Sequence, residues 1–90
     1  MDVLQAVEYY NAQSPNLGFE FLDELEDTTS IVRETPLIFT LVDPPVRRAI
    51  VRRFPYGVFY VPGTDDNPDV VLAVVDLRQD PEVVRKAYLR

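Results

Sequence analysis

Residues 46–61 constrain the fold more than any other stretch of this 90-residue chain. The run Val46-Arg47-Arg48-Ala49-Ile50-Val51-Arg52-Arg53 is β-type, turns at a Phe54-Pro55-Tyr56 corner, and continues as a second β-type stretch to Val61. Four of the nine basic residues, Arg47, Arg48, Arg52 and Arg53, fall in the first stretch. Its apolar middle suits a buried sheet, so the arginine pairs at either end are left to meet carboxylates or phosphates. Side-chain alternation sets Arg48 and Arg52 on one face of such a strand and Arg47 and Arg53 on the other.

The rest of the chain supplies helices before this region and one more strand and helix after it. Asp2 is positioned to cap a first helix, in which Val3, Val7 and Tyr10 follow helical spacing with Ala6 beside them. Ser14-Pro15-Asn16 and Gly18 interrupt it, and a second helix is expected from about Phe19 to Glu34. Phe21, Leu22, Leu25, Thr28, Thr29 and Val32 form its inner stripe; Glu20, Asp23, Glu24, Glu26 and Asp27 form its wet face. Pro36 stops this helix, and residues 37–45 read as a connector ending in the rigid turn Asp43-Pro44-Pro45.

Two strands are then expected, at Val46–Arg53 and Tyr56–Val61. A polar loop follows at residues 62–68, and a third strand at Asp69–Leu77, apolar on both faces as if covered on both sides. Asp80 and Pro81 open a C-terminal helix reaching Tyr88. The expected architecture is one α+β domain over residues 1–90: a helical hairpin on a three-stranded antiparallel sheet, with a short C-terminal helix. Tyr9, Tyr10, Tyr56, Phe59 and Tyr60 are expected to be core or half-buried residues.

Composition narrows the chemistry. The chain has no histidine and no cysteine, which leaves acid–base work to Asp, Glu, Tyr or Arg, removes any disulfide and argues against a zinc site; no cofactor is expected. No apolar run reaches the roughly 20 residues that span a bilayer, and a cytoplasmic location is the expectation. The net charge of −6 divides unevenly: residues 1–46 carry nine acids and one base, residues 47–90 eight bases and six acids. Generic coating of nucleic acid is disfavoured by the acidic half, although the arginine strand could hold a phosphate locally.

Glu8-Tyr9-Tyr10, Ser14-Pro15-Asn16-Leu17-Gly18, Phe21-Leu22, Pro36, Val46-Arg47-Arg48, Arg52-Arg53-Phe54-Pro55-Tyr56, Val70–Val75 and Arg78-Gln79-Asp80-Pro81 occur in an order that resembles the RelE/ParE family of toxins from bacterial type II toxin–antitoxin modules. The resemblance spans nearly the whole chain. It implies a strand, a helical hairpin, a three-stranded meander and a short C-terminal helix. The family's first strand would lie before Met1, so the sheet is expected to offer an unpaired edge, with lower stability or self-association as the result and a homodimer as one outcome.

The resemblance implies alternative activities. In the ribosome-dependent mRNA endonuclease branch, arginines and lysines act with a tyrosine, and fixed cations stabilise charge building on phosphate oxygens. Arg78, at the end of the last strand, is then the candidate catalytic residue, with Arg48 and Arg52 expected on one face near it, and Arg48, Arg52, Arg78 and Tyr56 are candidate binding residues. This chain departs from that branch: Asp76 and Gln79 flank Arg78 where many relatives have a histidine and a second arginine. The strand also lacks lysine, and Val84 stands where a tyrosine is usual, with Tyr88 one turn on. The ParE branch poisons DNA gyrase by protein contact and needs no catalytic constellation. It is the preferred reading, and a degenerate relative that only binds an antitoxin is the third. The implied partner is a cognate antitoxin whose disordered tail folds on the sheet and hairpin, its acids meeting Arg48, Arg52 and Arg78. Against all of these stands the simpler role of the arginines as ion-pair partners for the acidic second helix.

Overall fold

A computed structural model gives the fold of residues 2–89. Helices α1 (Val3–Gln13) and α2 (Leu17–Glu34) come first. Strands β1 (Thr40–Asp43), β2 (Val46–Ile50), β3 (Tyr56–Val61) and β4 (Val70–Asp76) follow, and then helix α3 (Pro81–Tyr88). The class is α+β as expected, but the antiparallel sheet has four strands, in the order β1-β2-β3-β4. The additional strand lies inside the stretch read as a connector: Thr40 pairs with Arg48 and Leu41 with Arg47. The Asp43-Pro44-Pro45 turn, with a cis bond between its prolines, is the hairpin joining β1 to β2.

Each helix start has a local cause. The Asp2 carboxylate accepts from the Gln5 amide at 2.8 Å while the Gln5 side chain accepts from the Asp2 amide at 3.1 Å, a reciprocal capping box. At the corner between α1 and α2, Asn16 takes a left-handed conformation (φ 67°), which asparagine tolerates better than most residues. Gly18 lets the helices touch there: its amide donates to Asn11 Oδ1 at 2.8 Å, and a Cβ would run into the Val7 carbonyl oxygen.

The sheet is covered on both faces. One core joins Ala6, Val7 and Tyr10 of α1, Phe21 and Val32 of α2, and Ala49, Val51, Phe54, Tyr56, Val58 and Tyr60 of the sheet region. The second joins Val84 and Tyr88 of α3 to Val46, Phe59 and Val75 on the opposite face. The Tyr88 ring stacks on Phe59 with centroids 4.4 Å apart and planes 7° from parallel. Tyr10, Tyr56, Phe59 and Tyr60 are buried, whereas Tyr9 is exposed.

Two expectations about the strands are corrected. The first long strand stops at Ile50, because Arg52 and Arg53 form a turn in which Arg53 is left-handed (φ 70°). The last strand is not covered along its length: Val70, Val71 and Leu72 remain 52, 50 and 38% exposed, and only Val75 is buried. β4 is an edge strand, and its pairing with β3 slips by one residue at the Phe59/Tyr60 step. Such an irregularity turns side chains away from the regular alternation. No helix among the described residues is long and apolar enough to cross a membrane.

Candidate functional site

The side chains richest in chemistry gather where α3 crosses the β1–β2 hairpin. Asp43 ends β1, and Arg85 and Tyr88, three residues apart on one face of α3, both reach it. Arg85 donates from Nε and Nη2 to the two carboxylate oxygens, each at 3.2 Å, and the Tyr88 hydroxyl donates to Oδ2. The Arg85 bonds, and then the Tyr88 bond, hold the Asp43 carboxyl below the usual carboxylate range. Burial, reinforced by that carboxylate, pushes the Tyr88 hydroxyl up.

Beside this cluster lies a cavity of about 450 Å³, lined among others by Arg48, Phe59, Gln79 and Tyr88. Arg48 Nε is buried there without a hydrogen-bond partner. The cavity thus offers one guanidinium uncompensated by its neighbours, because the charge of Arg85 is met by Asp43. Such a place suits a single anionic group, a carboxylate or a phosphate. It offers no poised base: its carboxylate is held ionised by two donors, and its tyrosine hydroxyl is already committed to that carboxylate.

The candidate arginines do not converge. Arg48 faces the α3 cavity. Arg52, beyond the end of β2, lines a separate groove with Glu24, Asp27 and Glu34 of α2. Arg78 follows β4 in a turn and is clamped by Asp76, with Nε at 3.1 Å and Nη2 at 2.8 Å from its carboxylate oxygens. That contact depresses the Asp76 pKa and raises that of Arg78. Arg78 acts electrostatically on Tyr10 and Tyr9 of α1, on the hairpin side of the sheet. The expectation that Arg48 and Arg52 share a face near Arg78 is therefore corrected: the chain turns after Ile50, and strand alternation no longer applies at Arg52.

Tyr56 is 1% exposed, and burial pushes its hydroxyl up to about 12. Its ring is part of the hairpin-side core. Arg53 pairs with Glu20 of α2 at 3.3 Å, as the ion-pair role anticipates, and lies over the Phe54 ring at 5.6 Å. Arg47 instead donates to the Leu37 and Phe39 carbonyls at 3.1 and 2.7 Å, pinning the segment before β1. Among the described residues no group of three or more Asp, Glu, His or Cys side chains could hold a metal ion. Sequence reasoning missed Asp43, Arg85 and Tyr88 as a unit. The available signal was the three-residue spacing of Arg85 and Tyr88 on an amphipathic helix.

No family model, curated protein or solved structure matches the chain.

The Asp43 and Asp76 contacts set an acid limit on stability. A carboxylate whose pKa is depressed in the folded state stabilises above its unfolded value, and that contribution is lost as pH falls through the folded value. The melting temperature is therefore expected to drop once pH falls below about 4. A thermal-melt series from neutral pH downward checks this, and the Asp43→Asn/Asp76→Asn variant should flatten the slope.

Proposed function

We propose that the chain is a ParE-like toxin domain that acts by protein contact and is held in check by a cognate antitoxin. The observation that carries this reading is the open edge of β4. Val70–Val75 contains neither charge nor proline, its outer edge has no partner strand among the described residues, and Val70, Val71 and Leu72 are exposed. Natural sheets usually guard such an edge with Lys, Pro or a covering segment. Left open, it accepts an extended segment of a partner through main-chain hydrogen bonds, with side-chain contacts for specificity. The exposed Val83 and Leu89 at and beyond α3 add apolar surface.

The endonuclease alternative gains less support, because Arg48, Arg52 and Arg78 are dispersed and Arg78 is charge-compensated. Inducing the chain in bacteria should arrest growth with RNA intact and DNA supercoiling altered. RNA cleavage on arrest would favour the endonuclease, and no arrest would leave only antitoxin binding. Co-expressing a short neighbouring protein with an acidic tail should relieve the arrest.

Without a partner, the same edge is expected to pair between copies. Sedimentation velocity over a concentration series should show self-association that Val71→Lys reduces, with a stability change of no more than about 0.5 kcal/mol at this exposed site. Equal association by parent and variant would remove the open edge as an argument.

A further inference from the structure

A second groove runs between α2 and the far end of β2, remote from both the α3 cavity and the β4 edge. Glu24, Asp27, Ile31 and Glu34 follow one another at three- and four-residue spacing and so form one stripe of α2. Phe39 and Ile50 lie across from them, Arg52 completes the lining, and the cavity measures about 420 Å³. Its apolar floor is open to solvent, with Ile31 47% and Ile50 57% exposed.

Charge identifies what fits. Three carboxylates meet one guanidinium along the lining, so the groove is negative. Among the described residues the ion pairs are Arg53–Glu20, Arg78–Asp76 and Arg85–Asp43, and none neutralises Glu24, Asp27 or Glu34. Glu24 Oε2 is buried with no hydrogen-bond partner. A carboxylate with one buried, unpaired oxygen is costly to keep, and a cation meeting the same carboxylate from the groove would lower that cost. The walls are already fixed: Thr28 Oγ1 donates to the Glu24 carbonyl at 2.8 Å, the Tyr60 hydroxyl donates to the Pro36 carbonyl, and Arg47 holds the Leu37 and Phe39 carbonyls. A preformed groove saves the ordering cost of binding.

We propose that this groove docks a basic amphipathic segment of another protein, its apolar side chains over Ile31, Phe39 and Ile50 and its Lys or Arg side chains on Glu24, Asp27 and Glu34. From Glu24 to Glu34 the helix rises about 15 Å, which matches roughly three turns of a docked helix. A second copy of this chain is the poorer occupant, because a two-fold contact would set the same carboxylates against each other. The proposal does not rest on the β4 edge that carries the toxin reading, which lies at the other side of the sheet.

The test is fluorescence anisotropy of the full chain with a labelled helical peptide built of leucine on one face and lysine on the other. Saturable binding is expected, at least about tenfold weaker for Glu24→Gln/Asp27→Asn/Glu34→Gln, and weaker again with Ile31→Ser. The variant Glu8→Gln/Asp65→Asn/Asp66→Asn changes the net charge equally at exposed positions outside the groove, and it should bind like the parent. Circular dichroism melts establish that each variant is folded. Equal loss in the outlying variant would reduce the effect to attraction by an acidic protein. Undiminished binding in the groove variants, or a peptide that only displaces a second copy, would overturn the proposal.

Discussion

Replacing Phe21 by alanine is expected to remove about 3–5 kcal/mol of stability, a large share of the roughly 5–15 kcal/mol typical of a folded domain. Phe21 is fully buried at the centre of the hairpin-side core. Its ring meets Tyr10, Phe54 and Tyr56 with centroids 5.5, 5.2 and 4.8 Å away. Those rings belong to α1, the corner after β2, and β3, so the cavity left by truncation would open at the junction of three elements. Aromatic partners cannot close such a space without leaving their own edge-to-face contacts. Urea unfolding followed by circular dichroism measures the loss. Phe19→Ala, two residues earlier and 55% exposed, should change stability by no more than about 0.5 kcal/mol.

The second large effect is alkaline. Burial pushes the hydroxyls of Tyr10, Tyr60 and Tyr88 up, and that of Tyr56 to about 12. A phenol whose pKa is raised by folding stays protonated in the native state while the unfolded chain ionises. Its contribution is full below the unfolded value near 10 and is lost as pH rises from there toward the folded value. Tyr56 alone accounts for about 2–3 kcal/mol of this decline. With no His or Cys and one lysine, few other groups titrate in that window. Denaturant midpoints measured between pH 9 and 12 should therefore fall, together with a late, unfolding-linked rise in tyrosinate absorbance. Tyr56→Phe should move the onset to higher pH, whatever it does at neutrality. Tyr10→Phe should cost little at pH 7, because the Tyr10 hydroxyl is buried with no hydrogen-bond partner.

The helices were legible because capping, proline and apolar spacing mark most of their ends; α2 alone starts two residues before the expected Phe19, at a corner with no side-chain cap. Asp2, Pro36 and Asp80-Pro81 mark boundaries close to those observed. β1 was hidden because Leu37-Ile38-Phe39-Thr40-Leu41-Val42 has no alternation, and the double proline after it drew attention to the turn instead of the strand it closes. The length of β2 was overstated for a backbone reason: nothing in Arg52-Arg53 announces a left-handed residue, so a turn looked like strand. That slip also produced the false convergence of Arg48, Arg52 and Arg78, since facing was inferred from alternation. The Asp43–Arg85–Tyr88 cluster joins positions more than forty residues apart, where local pattern carries no information.

The way α3 closes the second core bears on how the protein is made. Every strand that α3 covers is synthesised before it, and chains grow at about 5–20 residues per second. Until Val84 and Tyr88 arrive, Val46, Phe59 and Val75 have no lid. A nascent chain would therefore show one bare apolar sheet face to the cell for a second or more, even after its hairpin side had packed. That interval, not the finished fold, is when chaperone capture and misassembly would compete most strongly.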